Sequence, residues 1–470
     1  MATAVFDTTD HTHMPRIDTD VDDRHGWGFA LLLATTATLF VRPADLVPAL
    51  DKWPIYQVLI VACLAVSARA SAKQFSHGRL IHRPITAALL LLVIAVGTSH
   101  LSHGFIWAAR MSMLEVSKLI ALYVLIIGLV NTPTRLRFFV KWLTAAITTM
   151  ATLVLLDKFG WVSIAALESI QDRGVIQDGV AEQVERIRGT GIFQDPNDFG
   201  LILVMGLVFC GSFLTKPRTG WIRYGWLAPA GVLLAALAMT HSRGALLSLI
   251  CAVSTALCYF RGGKYGVLAL PGLSLLALAF SSRMSDFSAI NQGTGQDRIQ
   301  IWSDSLNIWR QYPLFGLGEG LIADEIGVVT HNSFLHCYAE LGFFGGTTFV
   351  ACFLAAGFGL WSQRRPRTKP PADETPAAQA AREHSRLCGF LFAALMGCIA
   401  AMLTISRQFV APTYLILGLV AAAISMPAHA SLPSQVAGLR IGNRFLLLSL
   451  LASAASLLLF YVTIRLFVRW

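Results

Sequence analysis

The stretch "PITAALLLLVIAVGTSHL", residues 84–101, contains no Asp, Glu, Lys or Arg and is apolar over most of its length. A helix of this length is about 27 Å long, close to the ~30 Å hydrocarbon core of a bilayer. Twelve further apolar segments have a similar character: 27–43, 53–70, 113–131, 137–156, 197–215, 222–240, 244–260, 265–281, 333–361, 387–405, 409–427 and 443–464. A re-entrant first segment or an interfacial last one would reduce the thirteen to twelve.

The composition excludes a soluble fold of ordinary design. The chain has 470 residues, of which 55% are hydrophobic and 14% charged, and its mean hydropathy is +0.60. Backbone polar groups in lipid must be satisfied internally, and helices do this within one segment. We therefore predict an all-α protein: a polytopic transmembrane bundle of about 12–13 spans in one integral membrane domain, 27–470, after a disordered tail, 1–26.

The distribution of basic residues predicts the orientation of the bundle. Lys and Arg are concentrated in alternate connections, and the positive-inside rule then places the N-terminus in the cytoplasm. Two long connections, 157–196 and 282–332, become periplasmic loops, and the Pro- and Ala-rich 362–386 becomes a cytoplasmic linker loop. The net charge of +10 is explained by this topology, so we do not expect nucleic acid as a partner.

Two arginines stand at the outer ends of predicted spans. Arg188 lies in "ERIRGTGIFQDPNDFG", 185–200, whose Asp-Pro-Asn sequence around Asn197 is typical of a helix start. Arg243 lies in "MTHSRGALLS", 239–248, a connection so short that its guanidinium must face either the bundle interior or the lipid headgroups. Arginine is suited to forked recognition of phosphate, which favours an anionic partner for both.

A histidine begins the longest predicted span, in "THNSFLHCYAELGFFGG", 330–346. A lone histidine such as His331 at a membrane edge is more often a satisfied polar group than a catalyst. Two arginines on the same side change this reading, because they can neutralise a diphosphate while an imidazole accepts a proton from a hydroxyl. His336, five positions further on, should point elsewhere on the helix.

The segment before this histidine, "DRIQIWSDSLNIWRQYPLFGLGEG" at 297–320, predicts a short amphipathic helix at the membrane interface. Its glycine-rich end does not follow a strand and is extracytoplasmic, so it fails the context test for a nucleotide-binding loop. Glycines there let the chain turn back toward the bundle.

These motifs together resemble the bacterial O-antigen ligase and O-antigen polymerase superfamily. The pattern His-Asn, nine residues, then Gly-Phe-Phe-Gly at 331–345 is similar to its histidine motif. R-x-x-G-x-F-x-x-P-N at 188–197 resembles its outer-loop signature, and Ser-Arg-Gly at 242–244 its second arginine site. One departure is Asp297 before Arg298, where many members have glycine. The specific motifs cover about residues 185–350.

The resemblance implies a mechanism and its residues. Arg188 and Arg243 would hold the diphosphate of an undecaprenyl-diphosphate-linked glycan, and His331 would activate or orient the acceptor hydroxyl. Supporting roles would fall to a further set: Asn197, Arg298, Asn332, Glu340 and Gly342. The resemblance implies no cofactor and no metal, and a site on the periplasmic face of the bacterial inner membrane.

Three functions remain open at this stage. The first is a ligase that transfers the glycan to lipid A core or a similar acceptor, and the second is a polymerase that uses the same donor and a glycan acceptor. The third is a transporter of the lipid-linked glycan, which predicts charges inside the bundle. Lys118, within the segment 113–131, is the best candidate for such a charge.

Overall fold

A computed structural model describes residues 26–177, 180–216, 220–280, 294–364, 375–426 and 441–468. The predicted tail lies outside the described residues apart from Gly26. Parts of the predicted loops 282–332 and 362–386 lie outside them as well.

Eighteen α-helices are present in these ranges. They are α1 (Gly26–Phe40), α2 (Pro43–Leu46), α3 (Ile55–Val66), α4 (Ala68–Ala72), α5 (His77–Leu80), α6 (Pro84–Leu101), α7 (Ile106–Leu129), α8 (Pro133–Lys158), α9 (Pro196–Leu214), α10 (Leu227–Met239), α11 (Arg243–Arg261), α12 (Gly263–Phe280), α13 (Thr294–Gln311), α14 (Ile322–Ile326), α15 (Ser333–Ser362), α16 (Pro376–Met402), α17 (Ala411–Ser425) and α18 (Asn443–Phe467). Short 3-10 turns include Gly191–Phe193 and Gly220–Trp226.

The structure confirms an all-α polytopic membrane bundle, since every predicted apolar segment is helical over most of its described length. Within the described residues, nine helices are long and apolar enough to cross a membrane, or ten if the pair α3 and α4, bent by 75°, forms one span. This is fewer than the twelve or thirteen spans predicted. The apolar α1 and α17 have 15 residues each, about 22 Å of helix, which is less than a full hydrocarbon core.

Two predicted connections contain regular structure. The predicted outer loop 157–196 carries an antiparallel hairpin of β1 (Ile170–Gln177) and β2 (Val180–Arg186). The predicted linker 362–386 is helical from Pro376 onward, where α16 begins. Thr375 caps this helix by accepting a hydrogen bond from the Ala378 N–H at 3.3 Å, and the alanine-rich sequence that follows favours helix.

The helix α15 folds back on itself at Gly342. The ring of Phe334 lies 5.4 Å from that of Phe349 between centroids, whereas a straight helix would separate these residues by about 22 Å. The hydroxyls of Tyr338 and Thr347 also meet the same Ser453 Oγ, at 2.8 and 2.7 Å. Residues 333–341 and 343–362 therefore form two arms packed side by side.

This geometry corrects the single straight span predicted for 333–361. The second arm, 343–362, has enough residues to cross a membrane by itself. His331 precedes the first arm and lies about 15 Å along it from the apex at Gly342. The histidine is consequently level with the middle of the second arm.

A loop at 313–320 satisfies the backbone where α15 is broken. The N–H groups of Phe343 and Phe344 donate to the carbonyls of Pro313 and Leu314, at 2.7 and 3.2 Å. In return, the carbonyls of Ala339 and Glu340 accept from the N–H groups of Leu317 and Gly318, both at 3.0 Å. The glycine-rich sequence after α13 thus replaces the helical hydrogen bonds that the bend removes.

We expect Gly342→Ala to destabilise the fold strongly. Gly342 has φ +65°, and a Cβ there would lie 2.3 Å from the Leu314 carbonyl carbon. Backbone cannot move aside as a side chain can, so the crossing of loop and helix would have to open, at a cost of several kcal/mol. Thermal unfolding in detergent measures the effect. The control is Gly231→Ala in α10, where a Cβ meets nothing within 4 Å. Equal melting temperatures for the two variants would contradict this interpretation.

Candidate functional site

Three helix N-termini face one region of the bundle. Each begins with a side-chain cap: Asp195 Oδ1 accepts from the Asn197 N–H at 2.6 Å in α9, and Ser242 Oγ accepts from the Ala245 N–H at 3.2 Å in α11. Asn332 Oδ1 accepts from the Phe334 N–H at 3.1 Å in the first arm of α15. Helix N-termini carry partial positive charge, so their convergence favours an anion.

The side chain of Asn197 joins the first two of these termini. Its Oδ1 accepts hydrogen bonds from Ser242 Oγ at 2.7 Å and from Arg186 Nη2 at 3.1 Å. Arg186 Nε donates to the carbonyl of Thr240 at 2.8 Å. The end of the β-hairpin is thereby fixed against the tight connection between α10 and α11, directly before Arg243.

Arg407 joins the third terminus to the first. It lies between α16 and α17, and its Nε donates to Asp198 Oδ1 in the first turn of α9 at 2.5 Å. The backbone N–H of Arg407 donates to Ser333 Oγ at 2.8 Å, and that hydroxyl donates to the Ile405 carbonyl at 2.7 Å. The sequence reasoning did not single out Arg407. Its signal was the one used for Arg243, an arginine in a short connection between two apolar segments.

Arg298, near the start of α13, belongs to the same cluster. Burial lowers the pKa of its guanidinium, the charge of Asp195 opposes this, and the charges of Arg186 and Arg243 lower the pKa further. An arginine remains charged despite such a shift. The arginines at positions 186, 243, 298 and 407 outnumber the nearby carboxylates Asp195 and Asp198, so the described residues beside these helix N-termini form an electropositive region.

His331 lies within this positive field. Burial lowers the pKa of its imidazole below the usual 6.5, and the charge of Arg298 lowers it further, as does that of Arg407, while Asp195 acts in the opposite direction. The ring is therefore neutral at neutral pH and can accept a proton. The residue also has φ +54°, which points to a constrained backbone at this position.

The predicted site residues do not all come together. The structure groups Asn197, Arg243, Arg298 and His331, while Asn332 serves as the helix cap and Gly342 as the bend. Glu340 is 1% exposed and contacts His336, with Oε1 2.9 Å from Nε2.

Arg188 is half-buried after β2, and its buried Nε has no hydrogen-bond partner among the described residues. Arg186, two positions earlier, makes the contacts with the α10–α11 connection. Arg188 remains a predicted ligand of the diphosphate.

We expect Arg298→Gln to move the pH dependence of any reaction that needs neutral His331. Removing this cation raises the pKa of the imidazole, so the acidic limb of the pH–rate profile should shift to higher pH. Arg298→Lys keeps the charge and should leave the limb near its wild-type position. The limb itself should lie below pH 6.5 in the wild type, because the pKa is lowered. Identical limbs in both variants would show that Arg298 does not control His331.

The fold and this cluster define a class: a polytopic helical membrane protein with a positively charged cluster where several of its helices begin. Residues 203–350 match the sequence model of a protein family described as "O-Antigen ligase". This region includes Arg243, Arg298, His331 and Gly342. A protein of Salmonella muenchen named "O-antigen polymerase" is 29% identical over 177 residues, which cover 34% of this chain and 44% of that protein.

Similarity over residues 203–350 supports the O-antigen ligase and polymerase superfamily for this chain. The similarity spans less than half of the length of the Salmonella protein. The matched family region starts inside α9, so Arg186, Arg188 and Asn197 precede it, and Arg407 follows it.

Proposed function

We propose that this protein is a membrane glycosyltransferase that moves a glycan from an undecaprenyl diphosphate donor to a hydroxyl acceptor. The observation that carries the proposal is the cluster of Arg186, Arg243 and Arg298 at converging helix N-termini, with a neutral imidazole beside it. Arginines and helix N-termini are both suited to a diphosphate. The matched family is consistent with a lipid-linked glycan as substrate.

The proposed reaction is a direct displacement at the anomeric carbon. His331 accepts the proton of the acceptor hydroxyl, and the oxygen forms the new glycosidic bond. The bond between the anomeric carbon and the diphosphate oxygen breaks, and the electron pair stays on the diphosphate. Attack from the opposite side inverts the anomeric configuration. Preorganised donors that stabilise such a leaving group typically contribute about 10²–10³-fold each.

We propose the ligase activity first, with lipid A core or a similar lipid as acceptor, on the periplasmic face of the bacterial inner membrane. The family description supports this choice. The name of the Salmonella protein favours the second candidate, a polymerase that extends the glycan with the same donor chemistry. The two functions share every residue discussed above and differ in the acceptor.

Deletion of the gene tests both. A lost ligase should leave unmodified acceptor lipid while polymerised glycan accumulates on the donor lipid. A lost polymerase should leave acceptor lipid that carries single repeat units. Restoration by the wild-type gene controls for expression. Restoration by the variant His82→Asn, which replaces an exposed histidine, is a second control. Unchanged glycolipids in the deletion strain would contradict both activities.

A transporter has less support in the structure than it had in the sequence. Lys118, its best candidate charge, is 68% exposed and lies 2.5 Å from Glu115 Oε1 on the surface of α7. It does not face the bundle interior, where a transport site would need it.

A further inference from the structure

A cavity lined by apolar side chains and two arginines lies at the opposite end of the helices that form the candidate site. It has a volume of about 490 Å³ and opens between α9, α11 and α16. Its walls are apolar, with Leu207, Ala256 and Phe390 among them, and Arg261 and Arg386 stand at its mouth. Because α9 and α11 both begin at the candidate site, this mouth is about 28 Å away, at the other membrane face.

The mouth of this cavity carries excess positive charge. Arg386 Nη1 donates to Thr215 Oγ1 at 3.2 Å and to the Ser212 carbonyl, while its buried Nε has no hydrogen-bond partner in the described structure. Arg261, at the end of α11, is exposed. Basic side chains near a membrane surface attract anionic lipid headgroups.

The charges next to Arg386 include one carboxylate. Glu383 lies 2.6 Å from Arg137 Nη1 and 3.9 Å from Lys216 Nζ, so it is shared between two cations. Arg261 and Arg386 are additional to this group. The described residues around the mouth therefore present more positive than negative charge, even with Glu383 ionised.

We propose that this cavity binds an anionic phospholipid from the leaflet opposite the candidate site. One acyl chain occupies the apolar walls, and the phosphate contacts Arg261 and Arg386. A glycan does not fit apolar walls, since its hydroxyls would lose their hydrogen bonds. The glycan donor does not fit either, because its diphosphate cannot reach the arginines at both ends of α9 at once. The site is thus separate from catalysis and does not depend on the proposed function.

Lipid retained by the purified full-length protein tests the proposal. The protein is extracted in detergent, incubated with phosphatidylglycerol or phosphatidylcholine, washed, and analysed by mass spectrometry for lipid per protein. Wild-type protein should retain phosphatidylglycerol preferentially. Arg261→Gln should lower that retention about fivefold, the effect of about 1 kcal/mol per basic residue. Ala256→Phe, which fills the cavity and keeps both arginines, should lower it as well.

The matched control is Lys264→Gln, an exposed cation three positions beyond Arg261 that does not line the cavity. It should retain phosphatidylglycerol like the wild type. Equal retention by Arg261→Gln and wild type, or equal retention of the two lipids, would overturn the proposal. Displacement of phosphatidylglycerol by uncharged polyprenol would also overturn it, because the occupant would then be a donor tail. Melting temperatures show that each variant is folded.

Discussion

Replacing His331 by asparagine is expected to abolish glycan transfer while the protein remains folded. Asparagine tolerates the left-handed backbone that His331 adopts at φ +54°, which alanine does not. It cannot accept a proton near neutral pH, and loss of a general base typically costs about 10²–10⁴-fold in rate. The measurement is the initial rate of product formation from lipid-linked donor and acceptor.

Two variants separate the chemistry of His331 from its backbone role. His331→Gly preserves the positive φ and should be as inactive as His331→Asn. His82→Asn changes an exposed histidine elsewhere and should remain fully active. Wild-type rates in His331→Asn would show that no proton is transferred to this ring.

Replacing Arg243 by alanine is expected to lower kcat/KM by about 10²–10³-fold, because a charged donor to the leaving diphosphate is lost. Arg243→Lys keeps the charge but loses the planar fork, so it should recover only part of the rate. Arg243 begins α11, and its neighbour Ser242 retains the helix cap, which favours a folded variant. Steady-state kinetics and equilibrium binding of the donor provide the measurement.

The matched control for Arg243 is Arg444→Ala, an exposed arginine in the first turn of α18. It should bind the donor and turn over like the wild type. Donor binding and rate that are unchanged in Arg243→Ala would exclude this arginine from the diphosphate site. A rate that falls with unchanged binding would instead place its contribution in the transition state.

Much of the fold follows from composition. Apolar segments such as 84–101 coincide with helices because lipid leaves the backbone no alternative. The caps at Asp195 and Ser242 follow from local chemistry in the same way. The hairpin at 170–186 had a local signal too, since the sequence Asp-Gly at 178–179 is one that favours two-residue hairpin turns.

The bend at Gly342 could not be predicted from its own segment. Residues on both sides of it are apolar, so the pattern is equally typical of one long span. The bend depends on backbone partners in the loop 313–320, which comes earlier in the chain. The backbone at Gly316 lies against Glu340 and Leu341, and this crossing is not visible in the sequence of the helix itself.

The residues of the candidate site were partly predictable from the sequence. Arg243 and His331 stood out because charge and imidazole are costly near lipid. The sequence reasoning selected Arg188 and not Arg186. Packing after the hairpin decides which of the two contacts Thr240, and composition does not reveal this. Arg407 contributes through Asp198 and Ser333, which are distant in sequence, so only the folded chain reveals its position.

The most direct test is a transfer reaction with purified protein in detergent, using undecaprenyl-diphosphate-linked glycan and a separate hydroxyl acceptor. We predict a covalent glycan–acceptor product with inverted anomeric configuration, released undecaprenyl diphosphate in equal amount, and no product with His331→Asn. The contradicting result is donor that remains chemically unchanged in detergent while the same protein in proteoliposomes moves it across the bilayer.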